Sequence, residues 1–286
     1  MEPLLKIVKA GVFLSLQDGG RFGYRRFGIP VSGPMDRLSH ELGNYIVGNR
    51  RDSLSLELFR GGFVFQALRS QTYVLTGADG QYLLNGAEIE SWKTFDMHAG
   101  DELVIRETKN GQIVYLSVAG GFTEQEVLGS CSDYRPANIG RELVVDALLY
   151  GERKWQAART KGLYRSFVPP MKQSKVRVYK GAHFDLFDEA SKWAFFETAY
   201  RFQGGNRMGY FLQGHPLSLE EPKNLLSEAT LFGTIQVPTS GQPIILMADA
   251  QTIGGYPVIA TVHPDDLRLI AQMNVYDEVQ FELVEV

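Results

Sequence analysis

A single cysteine, Cys131, is all the chain carries, so no internal disulfide can form and a stapled secreted framework is excluded. The cytosol is the expected compartment. No run approaches the roughly 18 uninterrupted apolar residues of a membrane span, and Lys6 and Lys9 break the apolar residues at the start of the chain. Neither insertion nor secretion is expected. Basic charge is not in excess either: 29 Lys and Arg against 33 Asp and Glu leave a net charge of -4. That balance argues against a nucleic-acid partner, whose phosphates call for a basic patch.

Several catalytic signatures are also missing. There is no G-x-x-x-x-G-K-[ST], no G-x-G-x-x-G between a strand and a helix, and no G-x-S-x-G, so neither a glycine-rich phosphate cradle nor a nucleophile elbow is expected. The stretch H-E-L-G-N at 40–44 lacks the second imidazole of a zinc helix, and no metal site is expected. The Met-Lys pair at 171–172 lacks the flanks of a biotin attachment site, so no biotin is expected on this chain. Cys131 has no histidine near it in sequence and reads as a small filler in a turn.

What the chain has in abundance is glycine, thirty residues of it, between short apolar runs. Those at 12–16, 63–65, 73–75, 103–105, 113–118, 176–179, 244–247 and 279–284 are short and rich in β-branched and aromatic residues, which predicts strands. Helical spacing is scarcer. Residues 35–47, with a cap at Ser32 or Asp36, put Leu38, Leu42, Tyr45 and Ile46 on one face. Residues 188–200 do the same with Trp193, Phe196 and Tyr200, and 265–273 after Pro264 form a shorter candidate. The expected class is mainly β with a few short helices.

The chain also repeats itself. R-x-G-Y-x-x-x-G-x-P occurs at 21–30 and again at 207–216. Around these copies lie further matches in the same order: K-I-V-K-A-G at 6–11 with R-V-Y-K-G at 177–181, Glu57 with Glu228, Asp79 with Asp249, and D-E-L-V-I at 101–105 with D-E-V-Q-F at 277–281. An internal duplication follows, giving a first lobe at 1–170 with an extra tail from roughly 120 to 173, and a second at 171–286. The boundary is expected near Pro169 and Pro170.

Three glycine-rich stretches carry more polar residues than turns require. In the first, Arg21, Tyr24, Ser32, Gly33 and Asp36 offer an arginine, a hydroxyl and a carboxylate around flexible amides, suited to an anionic or amide group. An ordinary turn with Asp36 near a helix start accounts for the same residues. In the second, Arg207 and Gly209 repeat the theme. Arg21 and Arg207 either clamp an anion or brace their own lobes through backbone carbonyls. The third contains Glu228, Gln236, Asp249, Gln251, Thr252, Gly254, Gly255 and Tyr256, where polar groups interrupt apolar strands and must be satisfied, solvated or used.

The segments S-E at 227–228, G-T-I-Q-V-P at 233–238 and D-A-Q-T-I-G-G-Y-P at 249–257, with Q-D-G-G-R-F-G-Y at 17–24 and S-G-P-M-D at 32–36, closely resemble the family of bacterial 5-oxoprolinase C subunits. That family is also called KipA-like, or the second subunit of allophanate hydrolase, and it is related to the carboxyltransferase part of urea carboxylase. The resemblance spans nearly the whole chain and implies two cyclophilin-like β-barrel lobes, a KipI-like B subunit as partner, a third subunit, and ATP-dependent opening of 5-oxoproline to glutamate. ATP, with Mg held by the complex, is the implied cofactor. For such chemistry Arg21 and Arg207 suit a developing negative charge, and Asp79, Glu228 and Asp249 suit orienting or deprotonating a nucleophile. The sequence departs from the family pattern at Asp133, at 138–143 and at 274–277. Two alternatives stand beside this reading: a regulatory protein that neutralises a KipI-type sensor-kinase inhibitor, and a biotin-dependent carboxyltransferase acting on a urea-like amide with biotin carried by another chain.

Overall fold

The computed structural model describes residues 2–152, 162, 163, 168 and 175–284. The boundary expected at Pro169 and Pro170, like the Met-Lys pair at 171–172, lies outside the described residues. Two compact units result: Met1–Arg21 with Ser32–Met171, and Phe22–Val31 with Lys172–Val286. The short segment Phe22–Val31, which a division at residue 170 leaves in the first lobe, is thus counted with the second unit.

The first unit runs β1 (Glu2–Lys9), β2 (Phe13–Gln17), α1 (Arg37–Ile46), β3 (Ser55–Phe59), β4 (Phe63–Ala67), β5 (Gln71–Leu84), β6 (Ala87–Glu88), β7 (Thr94–Met97), β8 (Glu102–Val118), β9 (Phe122–Thr123) and β10 (Leu148–Gly151). These strands form one ten-stranded sheet in the order β2-β3-β8-β4-β1-β10-β9, with β5 paired to β6, β7 and β8. The apolar runs at 103–105 and 113–118 belong to a single long strand, β8, whose polar middle separates them. Leu5, Ile7, Leu56, Leu58, Phe63, Phe65, Leu103, Ile105 and Leu116 pack inside, fully buried. Each such side chain contributes about 1.5–3 kcal/mol relative to exposure.

The second unit contains β11 (Lys175–Lys180), α2 (Glu189–Glu197), β12 (Tyr200–Asn206), β13 (Gly209–Gln213), β14 (Glu228–Ala229), β15 (Thr234–Gln236), β16 (Ile244–Leu246), β17 (Ile253–Gly254), β18 (Val258–Val262), α3 (Leu267–Ala271) and β19 (Glu278–Leu283). Seven strands close a barrel, β11-β18-β15-β16-β13-β12-β19, and β14 with β17 forms a separate ribbon. Aromatic stacking fills the barrel, with Phe195 on Phe281 at 4.7 Å and Phe202 on Tyr210 at 4.4 Å between centroids. The fold is mainly β with a few short helices, as the sequence predicts.

The duplication is visible in matching hydrogen bonds. The Asp101 carboxylate accepts from the His98 amide and the Asp277 carboxylate from the Asn274 amide, each closing a turn three residues back before β8 and β19. The carbonyl of Asp101 accepts from the Ala67 amide at 2.8 Å and that of Asp277 from the Phe202 amide at 2.9 Å. The R-x-G-Y copies, by contrast, differ in conformation. Arg25–Phe27 form a 3-10 turn ended by Gly28 in the left-handed region, whereas the second copy runs straight into β13.

α1 starts at Asp36, one of its two expected caps, and α2 starts at Asp188, the first residue of its expected span. Asp36 accepts from the Ser39 amide at the start of α1, and Asp188 from the Ser191 amide at the start of α2. Their buried faces match the expected ones only in part: Ile46 is buried with Leu42 packed beside it, and Tyr200 is buried, but other expected positions are not. In α1 the sheet covers Ser39, His40, Gly43, Asn44 and Ile46, while Tyr45 is 61% exposed and Leu38 is exposed too. The reason lies beneath the helix, where Ser55, Thr76, Ser117 and Tyr115 present a polar surface. In α2, Ser191, Ala194 and Phe195 are buried and Trp193 is 65% exposed. The helix ends at Glu197, so Tyr200 is placed by β12 and not by helical periodicity.

Candidate functional site

In the first unit the segment 32–36 leads into α1 over a buried polar layer. Ser32 and Gly33 both have positive φ, 56° and 79°, a turn that returns the chain to the start of the helix. Glu57 on β3 accepts from the Met35 amide at 2.8 Å and from the Tyr115 hydroxyl at 2.6 Å. That hydroxyl in turn accepts from the Asp36 amide at 2.8 Å, and Asp36 also takes the Ser39 hydroxyl at 2.6 Å. Burial, with the Glu57 and Asp36 charges beside it, holds the Tyr115 phenol well above its usual range. The Ser39 carbonyl closes the layer by accepting from Thr76 Oγ1 at 2.8 Å. Ser32 Oγ is buried with no hydrogen-bond partner among the described residues.

Arg21 is fully buried. Its Nε donates to the Val127 carbonyl at 2.8 Å and its Nη2 to the carbonyls of Ser130 and Ser132 at 3.3 and 2.9 Å. The same loop wraps Asp18, which accepts from Gly20 N, Ser130 Oγ, Cys131 N and Ser132 Oγ within 2.9 Å. Asp133, a departure from the family pattern, accepts from Leu16 N at 2.8 Å. Cys131 donates to the Glu124 carbonyl, and burial followed by the Asp18 charge pushes its thiol up to about 11. It is a protonated filler, not a thiolate.

The residues 34–41 also wall a cavity of about 510 Å³, whose lining includes Gly19, Pro34, Arg37, His40, Arg50 and Arg51. Of these only the flanking stretches 17–24 and 32–36 stand out in the sequence. The arginines lie on an ordinary-looking helix and turn. His40 is almost fully buried, and Nε2 contacts the Gln17 carbonyl at 3.1 Å. Burial lowers its pKa to about 4 against smaller upward effects from the Gln17 carbonyl, from Asp18 and Glu41, and from the Ser53 carbonyl.

In the second unit Arg207 and Asp249 face each other in a buried two-pronged ion pair, and the Asp249 amide donates to the Arg207 carbonyl at 2.7 Å. Gly209 pairs with Leu246 at the start of β13. Most of the third polar stretch converges on the β14–β17 ribbon, where Glu228 registers with Gly254. Thr230 donates to the Gln251 carbonyl at 2.5 Å and, through its amide, to the Thr252 carbonyl at 3.1 Å. Gln236 Nε2 donates to the Tyr256 carbonyl at 3.5 Å, and a Cβ at Gly254 would sit 2.5 Å from that nitrogen. Gly255 lies beside Ser227 Oγ. Gln251 and Tyr256 are exposed, while Gln236 and Thr252 are buried.

Two residues that no fixed motif position specifies join this ribbon. Arg25, four residues after Arg21, donates from Nη2 to the carbonyls of Thr230 and Thr252. His183 accepts the Val258 amide on Nδ1 at 3.2 Å, which places its proton on Nε2, 3.9 Å from Glu228 Oε2. Tyr24 precedes the turn that holds Arg25. Of the three acids read as catalytic, Glu228 is exposed, Asp249 is committed to Arg207, and Asp79 sits exposed on β5 in the first unit. Among the described residues no group of three or more His, Cys, Asp and Glu is placed to hold a metal ion. None of the described helices is long and apolar enough to cross a membrane.

Residues 27–283 match the model of the carboxyltransferase domain, subdomains A and B. The chain is 36% identical to the 5-oxoprolinase C subunit of Haemophilus influenzae over 94% of its length and 88% of that protein. It is 34% identical to the 5-oxoprolinase C subunit of Escherichia coli, with 97% and 90% covered. Among solved structures, TTHA0988 superposes with a TM-score of 0.89 at 32% identity, covering 98% of this chain and 55% of that one. The K. lactis urea amidolyase does so with a TM-score of 0.92 at 27% identity, covering all of this chain and 19% of that one. The chain therefore spans about half of the former structure and a fifth of the latter.

Proposed function

The chain belongs to the 5-oxoprolinase C-subunit family of carboxyltransferase-domain proteins, and from that premise we propose that it is a subunit of an ATP-dependent 5-oxoprolinase. Its partners in this reading are a B subunit of the KipI type and a third subunit. Water adds across the lactam C–N bond of 5-oxoproline to give glutamate, and hydrolysis of ATP to ADP and phosphate drives the step.

The observation that carries the site assignment is the Glu228–His183 pair at the β14–β17 ribbon. An exposed carboxylate beside a fixed imidazole N–H can orient a water and take its proton. The neighbouring side-chain amide of Gln236 and the exposed Gln251 and Tyr256 suit an amide substrate. ATP does not fit the helix starts of this chain, because α1 and α2 already have their first amides occupied by Asp36 and Asp188. A phosphate there would meet a carboxylate. In this reading the use of ATP, with Mg, falls to the assembled complex.

Co-expression with the KipI-type partner and the third subunit, followed by assay of ADP and glutamate from 5-oxoproline, tests the reading. Turnover only when this chain is present is expected. A tight complex without turnover would instead favour the regulatory binding role. A second reading, carboxyl transfer from carboxybiotin to a urea-like amide, is favoured by the likeness to urea amidolyase. Consumption of a carboxybiotin donor in the presence of urea would select it.

A further inference from the structure

The two members of the Glu228–His183 pair are held very differently. His183 is tied to the barrel: its amide donates to the Val258 carbonyl at 3.1 Å, its Nδ1 accepts the Val258 amide at 3.2 Å, and its side chain is 11% exposed. Glu228 has only its own strand. Its side chain is 59% exposed and accepts no hydrogen bond among the described residues, so its place is set by the β14 backbone. That strand pairs with β17 through Glu228 with Gly254 and Ala229 with Ile253, and a two-stranded pairing is marginal by itself in water.

Arg25 supplies what the ribbon lacks. Its Nη2 donates to the carbonyls of Thr230 and Thr252, the residue after β14 and the residue before β17. One amino group with two hydrogens thus joins both strands at the end of the ladder, beside the bond from the Thr230 amide to the Thr252 carbonyl. Hydrogen bonds from an ionised donor are roughly twice as strong as neutral ones. The backbone that presents Arg25 is fixed as well: the amides of Phe27 and Gly28 donate to the carbonyls of Tyr24 and Arg25 at 2.9 and 3.0 Å, and Gly28 takes the left-handed conformation at φ 81°. The segment Phe22–Val31 is counted with the second unit, like the ribbon. The repeated motif does not itself require an arginine there, since its second copy has Phe211 at the equivalent place, exposed on β13.

We propose that Arg25 is a positioning residue for Glu228: by closing the open end of the ribbon it fixes the β14 backbone, and through it the distance from the Glu228 carboxylate to the His183 N–H. The proton transfer itself stays with Glu228. This assignment rests on the functional reading above, in which that pair handles the attacking water. A misplacement of about 1 Å at a reacting group costs on the order of 10²-fold in rate, so a strap on the ribbon matters to turnover without touching substrate.

Hydrogen exchange on the full chain and kinetics of the assembled complex test the assignment together. In Arg25→Ala the amides of 228–231 and 251–254 should exchange about fivefold faster or more, while those of the barrel strand β16 keep their native rate. In the complex, kcat for 5-oxoproline should fall by about tenfold or more with KM changed by less than about threefold. Arg25→Lys, whose ammonium can also donate to two carbonyls, should recover much of both losses. Arg26→Ala removes the neighbouring guanidinium, which stacks on Phe27, and should change neither. Unchanged ribbon exchange in Arg25→Ala, equal acceleration in β16, or a lysine variant no better than alanine would overturn the assignment. The two readings fail separately: a native complex that turns over 5-oxoproline with a kcat indifferent to Arg25→Ala removes the positioning role alone. An inactive native complex beside ribbon exchange that follows the expected pattern removes the reaction and leaves Arg25 as the residue that holds the ribbon.

Discussion

Arg207 and Asp249 are joined by two parallel hydrogen bonds, Nε to Oδ2 at 2.7 Å and Nη2 to Oδ1 at 2.9 Å, with both side chains less than a tenth exposed. The pair ties the turn before β13 to the segment after β16. An aspartate held this way is part of the barrel's framework. Asp249→Ala should destabilise the protein by about 3–5 kcal/mol, because it removes the carboxylate opposite a buried guanidinium. Replacing both partners by leucine should recover much of that loss. Urea unfolding of the two variants decides it; full stability of Asp249→Ala would make this acid available again as a catalytic base.

His40 makes stability depend on pH. Its folded pKa of about 4 lies below its ordinary value of 6.5, so between these values the unfolded chain binds more protons than the folded one. Its contribution is full above pH 6.5 and is lost as pH falls towards 4. The shift corresponds to roughly 3 kcal/mol. Between pH 7 and pH 4.5 the denaturant midpoint should fall further for the native protein than for His40→Gln, which cannot take up the proton.

Gly43 packs α1 onto the sheet at van der Waals limits. An added Cβ would stand 2.8 Å from Thr76 Oγ1 and 3.0 Å from Ser117 Oγ. Alanine favours a helix over glycine by about 1 kcal/mol, but overpacking here should cost about 1–3 kcal/mol. A net loss of stability in Gly43→Ala is expected, seen as a lower melting temperature, and a gain would show that the helix can lift.

Glu228 and Gly254 separate chemistry from positioning at the ribbon. Glu228→Gln should cut turnover of an active complex by about 10²-fold or more, in line with general-base catalysis, while leaving stability nearly unchanged because the residue is exposed. Gly254→Ala should displace the Gln236 amide and raise KM with a smaller effect on kcat. Steady-state kinetics on the two variants distinguish these patterns.

The element types were largely legible. Short β-rich runs between glycines located most of the strands, and apolar spacing with a cap at Ser32 or Asp36 in the first case placed both helices near their starts at Asp36 and Asp188, since periodicity and capping are local properties of the chain. The faces of those helices were not legible: Tyr45 and Trp193 fit an apolar stripe yet are exposed. A helix that docks on serines, threonines and a tyrosine buries whatever complements them, and those partners come from remote strands.

The site divides the same way. Composition along the chain was enough to mark the stretches too polar and glycine-rich for plain turns, and the motifs in them were enough to place the family. Which charges are available emerged only from the folded arrangement. Arg21 and Arg207 share a motif, but the first meets three carbonyls more than a hundred residues away and the second meets Asp249. Glu57 and Glu228 occupy matching places in the repeat, yet one is buried under Tyr115 and the other is open beside His183. A charged group's role follows from its solvation and its nearest partner, and both are set by long-range packing that no local pattern encodes.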